Sequence, residues 1–369
     1  MVLRENMIDS IIKHLPEHYG RVAANFQEMP PTTNIGIVLP TFSRHKILLK
    51  TLESLRKSSL PKDCMLVIVD ETMAAKRPTC EPYEYFENID FAGGDIKQVN
   101  REFDEIRKES ERIESCVAFN DAGWLKHSLV HPRQIKSSRF GTYIKKSFLQ
   151  ENPIFHQQIS QRVQTYKSPI DTGTVAAIKA FDMDIPIIKI YKNQHKNMFD
   201  SLRSAFDLLV ELFHVNYLVN IDSDTIHKEN WLTTLSKEYI DLKCKITNRP
   251  LVLSGFNADK KKNLYVRENY VVKKDLGGIN LFFDTQTYRQ YIRDTLVHVG
   301  WDIELSKIIR SHDGLLVALY NSVIQHIGTE GMWSRRKNYD YSSTFQSSGS
   351  TSGGGVKQLL TILKKKLRL

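Results

Sequence analysis

Short unbroken apolar runs recur along this chain. They are Asn34–Leu39 (NIGIVL), Met65–Val69 (MLVIV), Ile185–Tyr191 (IPIIKIY), Tyr217–Ile221 (YLVNI) and Leu251–Ser254. Runs of this length, rich in Ile and Val and without polar alternation, predict strands buried on both faces. Pro40 is expected to end the first. Between the runs, apolar residues return at helical spacing. In Arg44–Lys57 the residues Ile47, Leu48, Leu52 and Leu55 share one side, with Ser43 as the expected N-cap. Further helices are expected around Thr174–Phe181 and over Met198–Phe213. Strand, helix, strand with continuous apolar strands is the βαβ signature of a parallel sheet covered by helices. Residues 1–33 read as a helical lead-in that ends at Met29-Pro30-Pro31. Residues 73–170 break the rhythm: they are polar and mixed, with one helix expected near Val99–Ile113. They are expected to form an insertion or subdomain within a larger domain spanning 34–345.

Composition narrows the class. The chain has 369 residues, 41% hydrophobic and 25% charged, which excludes a disordered tail protein, a collagen and a low-complexity scaffold. That length holds one large α/β domain or two smaller ones. No stretch approaches the roughly 20 apolar residues of a spanning helix, and the N-terminal residues lack the apolar core of a signal peptide. Cys64, Cys80, Cys116 and Cys244 form no CxxC pair, so neither a zinc knuckle nor a disulfide framework is expected, and a reducing cytosol suits the chain.

The net charge of +10 calls for an acidic partner, and half of it sits at one end. Residues 356–369, VKQLLTILKKKLRL, carry Lys357, Lys364, Lys365, Lys366 and Arg368 and no acid. Val356, Leu359, Leu360, Leu363 and Leu367 fall on one helical face, after a flexible Ser/Gly linker at 346–355. A basic amphipathic tail on a tether is the pattern of an anchor to an anionic membrane surface. The expected location is cytoplasmic, peripheral on the inner membrane face.

Candidate chemistry lies where strands end. Pro40-Thr41-Phe42-Ser43-Arg44 follows the first strand, Asp70-Glu71-Thr72 the second and Asp222-Ser223-Asp224 the fourth. Ligands of open α/β sheets bind at the carboxyl ends of strands. Two carboxylates one residue apart can share a hard divalent cation, Mn²⁺ or Mg²⁺, with substrate phosphates.

Together these motifs resemble the GT-A glycosyltransferases, most closely family 2, over 34–72 and 171–345. The match at Pro40 to Arg44, the partial match at Val69-Asp70-Glu71-Thr72 and the DxD at Asp222–Asp224 imply a fold and a role for each residue. The implied fold is a Rossmann-like mixed sheet flanked by helices. Pro40, Thr41, Arg44 and Asp70 would line the nucleotide pocket. Asp222 would lie near ribose or metal, and Asp224 would bind the metal on the diphosphate. Glu71 departs from the family's second Asp. Leu276-Gly-Gly-Ile-Asn-Leu-Phe-Phe283 resembles the glycine-containing strand beside the donor sugar, which places Gly278 there. Gly300-Trp-Asp-Ile-Glu-Leu305 resembles the acidic motif behind the acceptor. Asp302 is thus the candidate general base, with Glu304 in reserve and a helix N-cap as the simpler role for Asp302. Ile324-Gln-His-Ile-Gly-Thr-Glu-Gly331 resembles a late histidine loop, which makes His326 a candidate third metal ligand. Arg335 and Arg336 are candidates for the phosphates.

The resemblance implies inverting, metal-dependent transfer from a nucleotide sugar, most naturally a UDP-sugar, to a glycan or lipid-linked hydroxyl, as in surface polysaccharide synthesis. Two rival classes are weighed against it. A haloacid-dehalogenase-like phosphatase shares DxDT, but its motif usually follows the first strand of the domain. A basic protein binding nucleic acid or lipid remains a non-enzymatic alternative, though the body without its tail carries only about +5 and shows no nucleic-acid-binding signature.

Overall fold

The computed structural model describes residues 2–17, 19–26, 33–74, 81–87, 89–99, 103–121, 123–134, 141–166, 171–193, 198–246, 248–296, 300–329 and 340–345. The linker, the basic tail, Cys80, Arg335 and Arg336 lie outside them. Ten strands form the main sheet: β1 (Tyr19–Ala24), β2 (Ile35–Thr41), β3 (Cys64–Asp70), β4 (Ile187–Lys192), β5 (Tyr217–Ile221), β6 (Leu251–Ser254), β7 (Asn263–Val266), β8 (Tyr270–Lys273), β9 (Asn280–Asp284) and β10 (Leu315–Leu319). Their spatial order is β1-β4-β3-β2-β5-β9-β6-β10-β8-β7. The adjacent strands β4, β3, β2 and β5 are mutually parallel. Strands β9, β8 and β7 pair antiparallel, which makes the sheet mixed.

Every position of β2 and β3 is buried, as the unbroken apolar runs predict. Alternate residues serve opposite faces. Val38, Met65, Val67 and Val69 join one core cluster. Ile37, Leu39, Leu66 and Ile68 join the other. Helices α4 (Met198–Glu211) and α6 (Trp301–Ser311) cover the first face through Leu202, Phe206, Leu209, Leu305 and Ile309. Helices α2 (His45–Arg56), α3 (Thr172–Ala180) and α5 (Trp231–Lys245) cover the second through Leu48, Leu52, Leu55, Ile178, Trp231 and Leu235.

Three local expectations are corrected. The lead-in is a helix, α1 (Val2–Lys13), followed by a strand: β1 pairs antiparallel with β4 at the sheet edge. Pro40 does not end β2. The β2–β5 ladder runs only over Ile35–Val38, so the missing N–H at Pro40 costs no bond on that side, and the strand continues beside β3 to Thr41. Ser43 does not cap α2. Ser43 and Arg44 are both left-handed, with φ of 52° and 68°, and Arg44 occupies the N-cap position without a side-chain cap bond. The first helical N–H, that of His45, instead donates to Asp171 Oδ2 at 2.8 Å. Asp171 also caps its own helix α3 at Thr174.

The segment between β3 and α3 builds a second, antiparallel sheet of five short strands, in the order Tyr83–Glu87, Gly141–Lys145, Ala118–Asn120, Trp124–Lys126, Asp95–Gln98. The expected helix is present as Phe103–Arg112. The sheet has its own cores. Tyr83, Phe119 and Tyr143 lie on one side, with the last two rings stacked at 4.8 Å, and Phe86, Phe91 and Ile144 on the other. Among the described residues no helix is long and apolar enough to cross a membrane.

Candidate functional site

From β2 the chain steps to β3 and then β4 on one side, whereas β5 lies on the other. The order therefore reverses between β2 and β5, and a crevice at the carboxyl ends of such a pair is the usual ligand position in an open α/β sheet. The two ends meet here: Arg44 Nη1, just past β2, lies 2.9 Å from Asp224 Oδ2, just past β5.

Four devices hold this pair. The first is the strained Ser43–Arg44 turn. Two consecutive left-handed non-glycine residues cost of order 1 kcal/mol each and persist only where the surroundings impose them. Ser43 N donates to Thr72 Oγ1 at 2.9 Å. Thr72 in turn donates its hydroxyl and its N–H to Asp70 Oδ1, at 2.6 and 3.0 Å. Asp70 is only 1% exposed. Through Oδ1 the Asp70 carboxylate braces the turn that carries Arg44.

The second device is Thr51 on α2, fully buried. Its hydroxyl donates to Ser223 O at 2.9 Å and accepts from Thr225 N at 3.2 Å, which clamps the turn between the two aspartates. The third is a two-stranded ladder that pairs Thr225–His227 with Ile324–His326, with Thr225 opposite His326. It sets His326 Nε2 3.3 Å from Asp224 Oδ2, while Nδ1 lies 3.2 Å from the Asp340 carbonyl. The fourth is Gly328. A Cβ there would sit 1.9 Å from Asp224 Oδ2 and 2.9 Å from Arg44 Nη2.

The two aspartates titrate apart. Burial and the charge of Asp224 raise Asp222 well above the usual carboxylate range. Burial also opposes ionisation of Asp224, but the bonds from His326 and Arg44 outweigh it, and its pKa is lowered. Burial disfavours charge on His326, and the contact with Asp224 overcomes it, so the imidazole is raised. Asp222 Oδ1, Arg44 Nη2 and Thr41 Oγ1 are buried polar atoms with no hydrogen-bond partner among the described residues. Orphaned groups of this kind are rare in a folded protein and call for a further partner, whether water, an ion or a ligand.

The donor set bears on a divalent cation. Asp222 and Asp224 present the oxygen donors that Mg²⁺ or Mn²⁺ prefers, and Asp222 Oδ1 is left over for one. Among the described residues no three His, Cys, Asp or Glu side chains are grouped as metal ligands. The pair therefore fits an ion shared with substrate phosphates rather than a closed protein cage. His326 Nε2 faces Asp224 Oδ2, so the imidazole lies beside the carboxylate pair and steadies Asp224.

The acidic motif of α6 is linked to these residues through the backbone: Asp222 N donates to Ile279 O at 3.0 Å, next to Gly278, which meets Asp302. Asp302 does not cap its helix. Gly300, with φ of 84°, holds that position, and Asp302 Oδ2 accepts the Gly278 N–H at 3.2 Å. Gly278 is pressed against the Trp301 indole, where a Cβ would come within 2.8 Å of Cζ2. Its carbonyl accepts from Asn220 Nδ2 at 2.6 Å. Glu304, two residues on, projects from a different face of the helix than Asp302, so the two do not share one position.

Glu71, the departure from the family pattern, is occupied elsewhere. It is 4% exposed and accepts from Lys192 Nζ and from Ser201 Oγ, and Lys192 also bonds Asp200 at 2.7 Å. Thr51, Asn220 and Asp340 belong to the site but carry no local sequence signal, and Gly328 lies in the histidine loop, where no pattern singles it out. Each acts through a contact with a residue far away in the chain.

No family model matches the chain. One curated protein, "Putative glycosyltransferase R655" of Acanthamoeba polyphaga mimivirus, is 32% identical over 80 residues, 20% of this chain and 25% of that protein. The chain thus aligns with about a quarter of its relative's length, and over that stretch it is similar to a protein named as a glycosyltransferase.

Proposed function

We propose that this chain is a glycosyltransferase that moves a sugar from a nucleoside-diphosphate donor, of the UDP class, to a hydroxyl of a glycan or lipid-linked acceptor in surface polysaccharide synthesis. The observation that carries the reading is the Arg44–Asp224 pair at the switch point, with unpartnered buried atoms of Arg44, Asp222 and Thr41 around it and Asp302 alongside. The partial similarity to a named glycosyltransferase supports the same reading.

Asp222 and Asp224 are the residues that would hold a divalent ion, which when bound neutralises charge on the departing diphosphate. The Arg44 guanidinium, fixed through Nη1 to Asp224, offers Nη2 to a phosphate oxygen. His326 keeps Asp224 ionised and oriented. Asp302 takes the proton of the acceptor hydroxyl as its oxygen bonds to the anomeric carbon. The bond from that carbon to the diphosphate oxygen breaks, and its electron pair leaves with the nucleotide. A single displacement of this kind inverts the anomeric centre. The Gly278 N–H fixes the Asp302 carboxylate, and Trp301 packed on Gly278 closes that wall.

Thermal stabilisation tests the proposal. A ligand that binds only the folded state raises its melting temperature. Wild type and Asp224→Ala are compared with UDP, GDP, CDP and dTDP, each with Mn²⁺ or with EDTA. The expected result is a metal-dependent rise with one nucleotide that is absent in Asp224→Ala. No rise with any nucleotide would overturn the reading.

A further inference from the structure

The hairpin β7–β8 closes one end of the main sheet, with β7 outermost. All positions from Lys262 to Asn269 are exposed. Leu264, Tyr265 and Val266 show 52%, 44% and 50% of their surface to solvent. Successive side chains of a strand point to opposite faces, so three consecutive exposed residues mean that β7 is open on both faces, whereas its partner β8 is largely buried within the sheet. Adjacent exposed apolar side chains of this kind mark an interaction surface.

The surrounding charge selects the partner. Lys260, Lys262, Arg267 and Lys274 are exposed around the apolar strand, and Glu268 is the exposed acid of the turn. Asp259, the other exposed acid at the root, is engaged by Ser343 N and Oγ. Addition of another strand is disfavoured. The β7 ladder slips between Asn263 and Tyr265, and a bulge flanked by cations is a known guard against edge pairing.

We propose that this hairpin docks on an anionic bilayer surface. Leu264, Tyr265 and Val266 enter the boundary between headgroups and acyl chains, and the surrounding cations face lipid phosphates. A compact apolar surface ringed by Lys and Arg has the two attractions that hold interfacial segments.

The placement ties docking to the candidate site. At the hairpin root Asp259 N donates to Tyr341 O at 3.0 Å, one residue from Asp340, whose carbonyl meets His326. Lys261 pairs with Asp275 at 2.6 Å, immediately before Leu276-Gly277-Gly278. The docking itself does not depend on glycosyl transfer, and it is tested without nucleotide.

The test uses the full chain carrying Tyr265→Trp and phosphatidylcholine vesicles with or without phosphatidylserine, some with brominated acyl chains. The expected result is a blue-shifted emission, quenched by bromine, on the serine-lipid vesicles only and beyond the wild-type background. In co-sedimentation, Lys262→Gln and Lys274→Gln are each expected to weaken binding about fivefold. Leu264→Ser with Val266→Ser is expected to abolish the bromine quenching in the Tyr265→Trp background. Because the reporter sits in the hairpin, binding through the basic tail alone leaves it silent. Emission of Tyr265→Trp that tracks the wild type while the protein sediments with vesicles overturns the proposal. So does an equal response to neutral and anionic vesicles, or a response to DNA with none to vesicles.

Discussion

Gly328 shows how narrowly the site is drawn at the scale of single residues. Its missing side chain leaves the space in which Asp224 Oδ2 and Arg44 Nη2 sit. Gly328→Ala should force that pair apart. We expect a loss of about 1–3 kcal/mol in stability from overpacking, seen in urea unfolding, together with disappearance of the nucleotide-induced rise in melting temperature. Asp302 makes a different prediction. In Asp302→Asn the amide oxygen can keep the bond from Gly278 N, but the group no longer takes a proton. Turnover should fall about 10²–10⁴-fold with nucleotide stabilisation retained. Loss of both together would mean that Asp302 only supports the fold. Arg44, Asp222 and Asp224 are visible in the sequence as candidates because each lies beside a strand end that periodicity places, whereas Asp302 is a candidate only through the family resemblance. Their supports are not: a buried Thr51 or Asn220 reads as an ordinary helix or strand residue.

At the scale of elements, the crevice is built by strand ends braced from behind. The brace behind β3 is the Lys192–Glu71–Asp200 network, with Lys192 at 2% exposure. Lys192→Met leaves Glu71 buried without its cation. Removal of one member of a buried pair costs about 3–5 kcal/mol, and urea denaturation should show a loss of that order. The double variant Lys192→Met with Glu71→Leu should recover part of it, since an apolar replacement of both partners removes the uncompensated charge. The second sheet marks the limit of pattern reading. Its strands run three to five residues, too short to show a period. Its interior also includes polar groups such as Lys126, which donates to Phe91 O and Asp95. A polar, mixed stretch thus folds as a sheet because distant partners satisfy its charges.

At the scale of the whole molecule, one buried histidine links pH to stability. His227 lies between the Ser54 and Thr225 hydroxyls and packs on Trp231. Burial lowers its pKa to about 3. In the unfolded chain a histidine takes its proton near pH 6.5. The stability contributed by a neutral His227 is therefore present above about pH 6.5 and is lost as pH falls through the window down to about 3. The slope is at most about 1.4 kcal/mol per pH unit, or about 2 kcal/mol by pH 5. Unfolding free energies measured across this range should show that slope in wild type, and His227→Gln should flatten it.

The sequence alone determined the parallel strands β2, β3, β4 and β5 and the helices α2, α3 and α4 between them, because these follow from local periodicity, a property of neighbouring residues. Helices α5 and α6 are not legible in that pattern. Tertiary structure decided which partners each motif residue meets. Asp70 accepts from Thr72, Glu71 from Lys192 and Ser201, His326 meets Asp224, and Pro40 lies inside β2. The physical reason is the same in each case. The role of a polar group depends on which partner desolvates or pairs with it, and those partners come from β4, α2, α6 and the Ile324–His326 strand, all distant along the chain.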